Sequence, residues 1–161
     1  MTAPPAKPDL TTIDLDRPPT MVQFGGHIAE SAPNFARLVF PFDLRWCNPR
    51  GSVQGGVMAV YVDEAVGYAM MATFPDLKTV WTTTSLTLNY LRPITGGDIT
   101  AIGRVIRVGA RTGYVEGEIL DADGSLCVKA GSGLLIFKRP NPAHAHPRRL
   151  PTPPTRVVPH F

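Results

Sequence analysis

From Gln54 to about Thr73 the chain is apolar on every side, and its only charges, Asp63 and Glu64, stand together at the middle of the run. The stretch predicts one long helix, opened by the pair Gly55-Gly56. A helix apolar all round is normally a buried one, and burying a carboxylate costs free energy unless it is paired or hydrogen-bonded. An acid pair at the centre of such a helix is therefore a candidate for chemistry.

Downstream the pattern changes to alternation. Four strand-like runs cover about Val80–Leu91, Asp98–Val108, Gly113–Leu120 and Leu126–Phe137, separated by Gly96-Gly97, Gly109-Ala110-Arg111-Thr112 and Asp121-Ala122-Asp123-Gly124. In the second run Ile99, Ala101, Gly103 and Val105 alternate with Thr100, Ile102, Arg104 and Ile106; in the third, Val115, Gly117 and Ile119 alternate with Tyr114, Glu116 and Glu118. Period-two patterning between turn signals predicts antiparallel strands with one buried and one solvated face. Upstream, Phe35–Trp46 is β-rich, with Pro41 marking an edge or a bulge. Thr20–Ala32 reads as a short helical or irregular lead-in. Cys47–Val53 reads as a loop with Asn-Pro and Arg-Gly turn signals.

The predicted architecture is one strand, one long apolar helix and an antiparallel meander of four strands. A lone helix of this kind needs a curved sheet wrapped around it, which is the α+β hotdog fold. A single sheet so arranged leaves an edge free for pairing with a second copy. The domain is expected over residues 21–138. Residues 1–20 hold five prolines and residues 139–161 hold seven, so both ends read as extended arms.

Composition narrows the function classes. At 161 residues and 43% hydrophobic the chain is long enough for one well-filled core. Its net charge of +3 is uneven: the 139–161 tail carries four arginines (Arg139, Arg148, Arg149, Arg156) and no acid, which leaves the rest at −1. No basic cluster interleaved with aromatics marks a nucleic-acid face. Cys47 and Cys127 lack metal or redox spacing and read as free thiols in a reducing compartment. The N-terminus lacks the apolar run of a signal peptide, and a membrane span with two acids at its centre is disfavoured. A cytoplasmic protein is expected. The histidines are His27, His144, His146 and His160. None lies between Asn34 and Lys138, which excludes a histidine triad or a histidine-rich metal site inside the domain.

Asn48, Gln54-Gly55-Gly56 and Asp63, followed by Tyr90-Leu91-Arg92-Pro93 and Gly97-Asp98, resemble the hotdog acyl-CoA thioesterases of the phenylacetate-pathway (PaaI-like) type over residues 35–137. Backbone amides at a helix start can stabilise the charge that develops on a thioester carbonyl, and Gly55 would let that carbonyl approach. Asp63 lies two turns past Gly56, roughly 10 Å along the axis, too far to serve its own helix start. The resemblance implies that a second subunit brings its glycine turn beside this acid, making the site composite and the dimer obligatory.

By the same resemblance Asp63 is the general base or nucleophile and Thr83 a hydroxyl that orients water, although a buried acid pairing across the dimer and a plain strand hydroxyl are the alternatives. Gln54 stands where the family usually has histidine; its amide can donate a hydrogen bond but cannot titrate. Asn48 would orient the carbonyl or the acid, or serve only as the turn residue before Pro49. Glu64, about 100° further round the helix, cannot share the pocket of Asp63 and is expected at solvent or at a dimer edge.

Gly56, Tyr90, Leu91, Arg92 and Pro93, with Arg107, Gly109, Arg111 and Thr112, are the residues implied for the substrate groove, and Arg111 is the leading candidate for a phosphate contact. The helix face around Asp63 (Gly56, Ala59, Val60, Val66, Gly67, Met70) is small and apolar; Met71, Phe74 and Trp81 would shape the far wall or belong to the core. The implied activity is hydrolysis of acyl-CoA by a homo-oligomer, a dimer or dimer of dimers, with no metal and no cofactor beyond the coenzyme A of the substrate. A non-catalytic acyl-CoA-binding module is the alternative. A dehydratase of this fold would need a catalytic histidine, and none lies between Asn34 and Lys138.

Overall fold

The computed structural model describes residues 18–75 and 78–138. Most of the proline-rich N-terminal arm and the whole 139–161 tail lie outside the described residues. The chain runs α1 (Pro19–Phe24), β1 (His27–Ala32), β2 (Phe35–Phe40), a 3-10 turn at Leu44–Trp46, α2 (Gly55–Thr73), β3 (Thr79–Tyr90), β4 (Ile99–Val108), β5 (Thr112–Leu120) and β6 (Leu126–Lys138). The strands form one antiparallel sheet in the order β1-β2-β4-β5-β6-β3, laid against α2. This is the hotdog arrangement expected from the single apolar helix.

Two glycines let the helix sit close on the sheet. Gly103 of β4 and Gly117 of β5 are register partners. A Cβ on Gly103 would fall 2.2 Å from the Ala65 carbonyl oxygen, and one on Gly117 would fall 2.6 Å from Cγ1 of Val62. Ala130 of β6 pairs with Gly117 and continues this row of small residues across three strands. Around the row, Tyr61, Val62, Ala65, Val66, Ala69 and Met70 of α2 are buried against Leu38, Phe40, Ala101, Val115, Ile119, Val128 and Leu134.

The structure corrects three expectations. The four later strands are not a meander: β3 lies at the sheet edge beside β6, while β4 joins β2. The 91–98 connector carries the chain across the sheet end, past the start of α2. Its Ile94 is buried, and the Ile94 carbonyl accepts the Val53 N–H at 2.9 Å. Three strand spacings are only about 14 Å, well within the reach of such a connector.

The lead-in holds a real strand. β1 pairs with β2 around Pro33-Asn34, where Asn34 takes the left-handed φ of 66° that the turn requires. The Asn34 N–H also donates to the Thr73 hydroxyl (3.3 Å), tying this hairpin to the end of α2. Finally, the strand expected to reach Trp46 ends at Phe40, where Pro41 ends the ladder and Asp43 caps the 3-10 turn by accepting the Arg45 N–H at 2.8 Å. Among the described residues no helix is long and apolar enough to cross a membrane.

Candidate active site

Helix α2 starts without a side-chain cap, on Gln54 in extended conformation. The turn is held instead by backbone bonds from its flanks: Gln54 N–H to the Trp46 carbonyl (2.8 Å) and Val53 N–H to the Ile94 carbonyl (2.9 Å). At the first two helical positions the amides of Gly55 and Gly56 have no helical acceptor. Gly56 is exposed, and a Cβ there would meet nothing within 4 Å. A cleft of about 400 Å³ faces this helix start, lined by Asn48, Arg50, Ser52, Val53, Gly55, Met58, Tyr90, Leu91, Arg92 and Pro93.

The side chains predicted for this region divide by what they touch. Tyr90 donates its hydroxyl to the Gly55 carbonyl at 2.9 Å, and its ring would lie 3.3 Å from a Cβ on Gly55. Gln54 is exposed and makes no capping bond. Asn48 is committed to its own loop: its amide nitrogen donates to the Ser52 hydroxyl (2.9 Å) and its oxygen accepts the Arg50 N–H (2.8 Å). It lines the cleft, but the turn-residue reading accounts for both of its polar ends. Sequence reasoning missed Arg50, Ser52, Val53 and Met58. The signal was present in Asn48-Pro49-Arg50-Gly51, a turn closed by Gly51 N–H to the Asn48 carbonyl (2.9 Å) that aims position 50 at the cleft.

Asp63 and Thr83 are brought together. The Thr83 hydroxyl donates to Oδ1 of Asp63 at 2.9 Å. A bulge between Thr83 and Ser85 resets the phase of β3, so Trp81, Thr83, Leu86, Leu88 and Tyr90 all lie on the helix side. Asp63 is exposed in the single chain and belongs to a partly open stripe of α2 that includes Gly56, Val60, Gly67 and Met71. Eight residues separate it from Gly55, about 12 Å of helix, and it does not line the cleft.

Glu64 departs from expectation: it is half-buried beside α1, hydrogen-bonded to Thr20, and burial pushes its carboxyl above the usual range. Met71, Phe74 and Trp81 pack partly against the core. Among the described residues no group of three histidine, cysteine or acidic side chains could hold a metal.

The predicted groove residues do not meet within one chain. Tyr90, Leu91, Arg92 and Pro93 stand at the helix-start end of the sheet. Arg107, Gly109, Arg111 and Thr112 form the β4–β5 turn at the other end, as the pairings Leu120↔Leu126 and Thr112↔Leu135 show. The two groups are separated by most of a strand, roughly 30 Å. The cause is strand direction: β4 runs antiparallel to β3, so the turns that follow them lie at opposite ends of the sheet.

Residues 50–128 match the thioesterase superfamily. A Saccharolobus solfataricus protein provisionally named an esterase is 32% identical over 107 residues, covering 66% of this chain and 70% of its own. A second protein of that organism with the same provisional name is 32% identical over 98 residues, covering 61% and 69%. Among solved structures, a thioesterase from Haemophilus influenzae superposes with a TM-score of 0.71 at 21% identity, over 78% of this chain and 86% of that one. The E. coli PaaI protein from the phenylacetic acid degradation operon superposes with a TM-score of 0.67 at 21% identity, over 73% and 83%. At these identities the structural matches speak for the fold.

Proposed function

The chain belongs to the thioesterase superfamily, and from that premise we propose that it hydrolyses acyl-CoA thioesters to a free acid and coenzyme A, as a PaaI-like member. The observation that carries the proposal is the Asp63 carboxylate, held by the Thr83 hydroxyl at 2.9 Å on the open face of α2. Asp63 acts as general base on water or as nucleophile on the thioester carbonyl, with Thr83 orienting the attack. The amides of Gly55 and Gly56 stabilise the oxyanion, and the coenzyme A thiolate leaves. Gln54 supplies at most a further hydrogen bond. No metal or cofactor is assigned a part.

Because Asp63 is about 12 Å from its own helix start, the working site is assigned to two copies, the acid of one beside the glycine turn of the other. An antiparallel pairing of that kind also carries the Arg107–Thr112 turn of one copy toward the cleft end of its partner, where Arg92, Arg107 and Arg111 would meet coenzyme A phosphates.

The test is coenzyme A release from short, medium and aryl acyl-CoAs by wild type and Asp63→Asn. Turnover that falls by about 10²-fold or more in the variant is expected of a lost base or nucleophile; near wild-type turnover in the variant would sink the reading. Gln54, which cannot titrate and stands where the family usually has histidine, favours one alternative, an acyl-CoA-binding module, which would show saturable binding and no turnover by wild type.

A further inference from the structure

We infer that Tyr90 is a positioning residue whose hydroxyl, bound to the Gly55 carbonyl, fixes the direction of the Gly56 amide. The inference rests on the thioesterase reading above, in which that amide is an oxyanion donor. The Gly55 carbonyl and the Gly56 N–H belong to one planar peptide unit and point in opposite directions. Whatever holds the oxygen therefore aims the N–H.

This peptide needs holding. Glycine is among the weakest helix formers, less favourable than alanine by about 1 kcal/mol per residue, and two glycines open α2 with no side-chain cap and no acidic residue in the first turn. The flanking bonds to Trp46 and Ile94 secure Gln54 and Val53, one and two residues before Gly55. Within α2 the Gly55 carbonyl takes only the ordinary helical N–H of Ala59, and Tyr90 alone among the described side chains adds a second bond to the Gly55–Gly56 peptide, at 2.9 Å. Its ring also lies where a Cβ on Gly55 would make close contact, 3.3 to 3.4 Å from ring carbons and hydroxyl. Glycine at 55 and tyrosine at 90 are thus fitted to each other. A donor on the carbonyl also polarises the peptide and strengthens the N–H at its other end.

A substrate wall would use the ring of Tyr90, whereas positioning uses the hydroxyl; Tyr90→Phe separates the two. Removing an oxyanion donor outright costs about 10²- to 10³-fold in kcat, so loosening one is expected to cost about 3- to 30-fold. The expected result is that fall in kcat with KM unchanged, together with a shift of the Gly56 amide resonance that Gly67, farther along α2, does not show. Gly55→Ala, whose Cβ would press on the Tyr90 ring and hydroxyl at 3.3 to 3.4 Å and so shift the hydroxyl against the carbonyl, is expected to lower kcat, with the double variant less impaired than the product of the singles. Unchanged kcat in Tyr90→Phe, or a raised KM at constant kcat, overturns the inference, as does an unmoved Gly56 amide. If wild type releases no coenzyme A, the thioesterase reading fails on its own and the catalytic role of Tyr90 falls with it; turnover with an indifferent Tyr90→Phe removes the inference alone.

Discussion

Two adjacent carboxylates on α2 have opposite fates, and one helical step decides which. Asp63 points to the open stripe and takes the Thr83 hydroxyl, while Glu64, about 100° round, turns under α1 toward Thr20. Burial, with help from the neighbouring Asp63 charge, raises the Glu64 pKa from its ordinary 4.5, and the Thr20 hydrogen bond only partly opposes this. A carboxyl whose folded pKa is raised favours the native state when protonated. Its contribution is full below the unfolded value and is lost as pH rises through the folded one. Glu64→Gln, which removes the charge and keeps the shape, is expected to melt higher than wild type at pH 7–8, with the gap closing as pH falls below about 4.5. Thermal melts of both proteins across that range check it; a gap independent of pH would mean that the charge of Glu64 costs nothing. The residue scale also shows how far the sequence could be read. Asp63 and Gly55 stand out in the sequence because an acid inside an apolar helix and a glycine at a helix start are physically costly, whereas Tyr90 is named there only through the family resemblance and its bond to the Gly55 carbonyl is visible only in the fold. Glu64 was misplaced because its surroundings depend on α1, which the hydrophobic pattern does not report, while Asn48 fills the turn role that its place before Pro49 had offered as one of two readings.

Glycines that look like interruptions in the alternation of β4 and β5 are what places the helix. Gly103 and Gly117 face each other across the ladder beneath Val62 and Ala65. The Cβ of Gly103→Ala would lie 2.2 Å from the oxygen of Ala65, a backbone atom that no rotamer change can move aside. The helix must rise from the sheet, and overpacking of this sort costs about 1–3 kcal/mol, occasionally more. Gly113→Ala is the control, since its Cβ meets nothing closer than 3.3 Å and that neighbour is the end of the Ile136 side chain. Urea unfolding is expected to show a large loss for Gly103→Ala and a small change for Gly113→Ala; equal stabilities would mean that α2 does not rest on this row. The boundaries of β3 to β6, and the faces of β4 and β5, followed from the sequence pattern within a residue or two, whereas β1 reads there only as a helical or irregular lead-in and β2 as six residues longer than it is. Strand order did not, because alternation says which face a residue occupies and nothing about its neighbour. The position of β3 depends on where the 91–98 connector crosses, and the bond that guides it, Val53 N–H to the Ile94 carbonyl, joins two backbones.

Two unfinished surfaces of the whole molecule lie on the same side. Strand β3 is a 12-residue sheet edge, TVWTTTSLTLNY, with no proline and no charged residue along it, and such an edge is a template for another strand unless it is covered or charged. Beside it runs the stripe of α2 that carries Gly56, Val60, Asp63, Gly67 and Met71, linked to β3 by the Asp63–Thr83 hydrogen bond. A second copy placed across both would continue the sheet and cover the stripe, and would bring a glycine turn to an acid that its own chain leaves about 12 Å away. Gly67 provides a clean way to ask. Nothing within 4 Å would meet a Cβ there, so the single chain has room for Gly67→Arg, whereas a subunit packed on the stripe has none. The variant is expected to keep its far-ultraviolet circular dichroism and to sediment at the 17.4 kDa of one chain. It should release coenzyme A at least 10²-fold more slowly than an assembled wild type, as befits a site deprived of its oxyanion donors. A variant that stays assembled and active would place the interface elsewhere. One that sediments as a single chain yet turns over at the wild-type rate would show that Asp63 works without a partner's glycine turn, and the composite site would have to be abandoned.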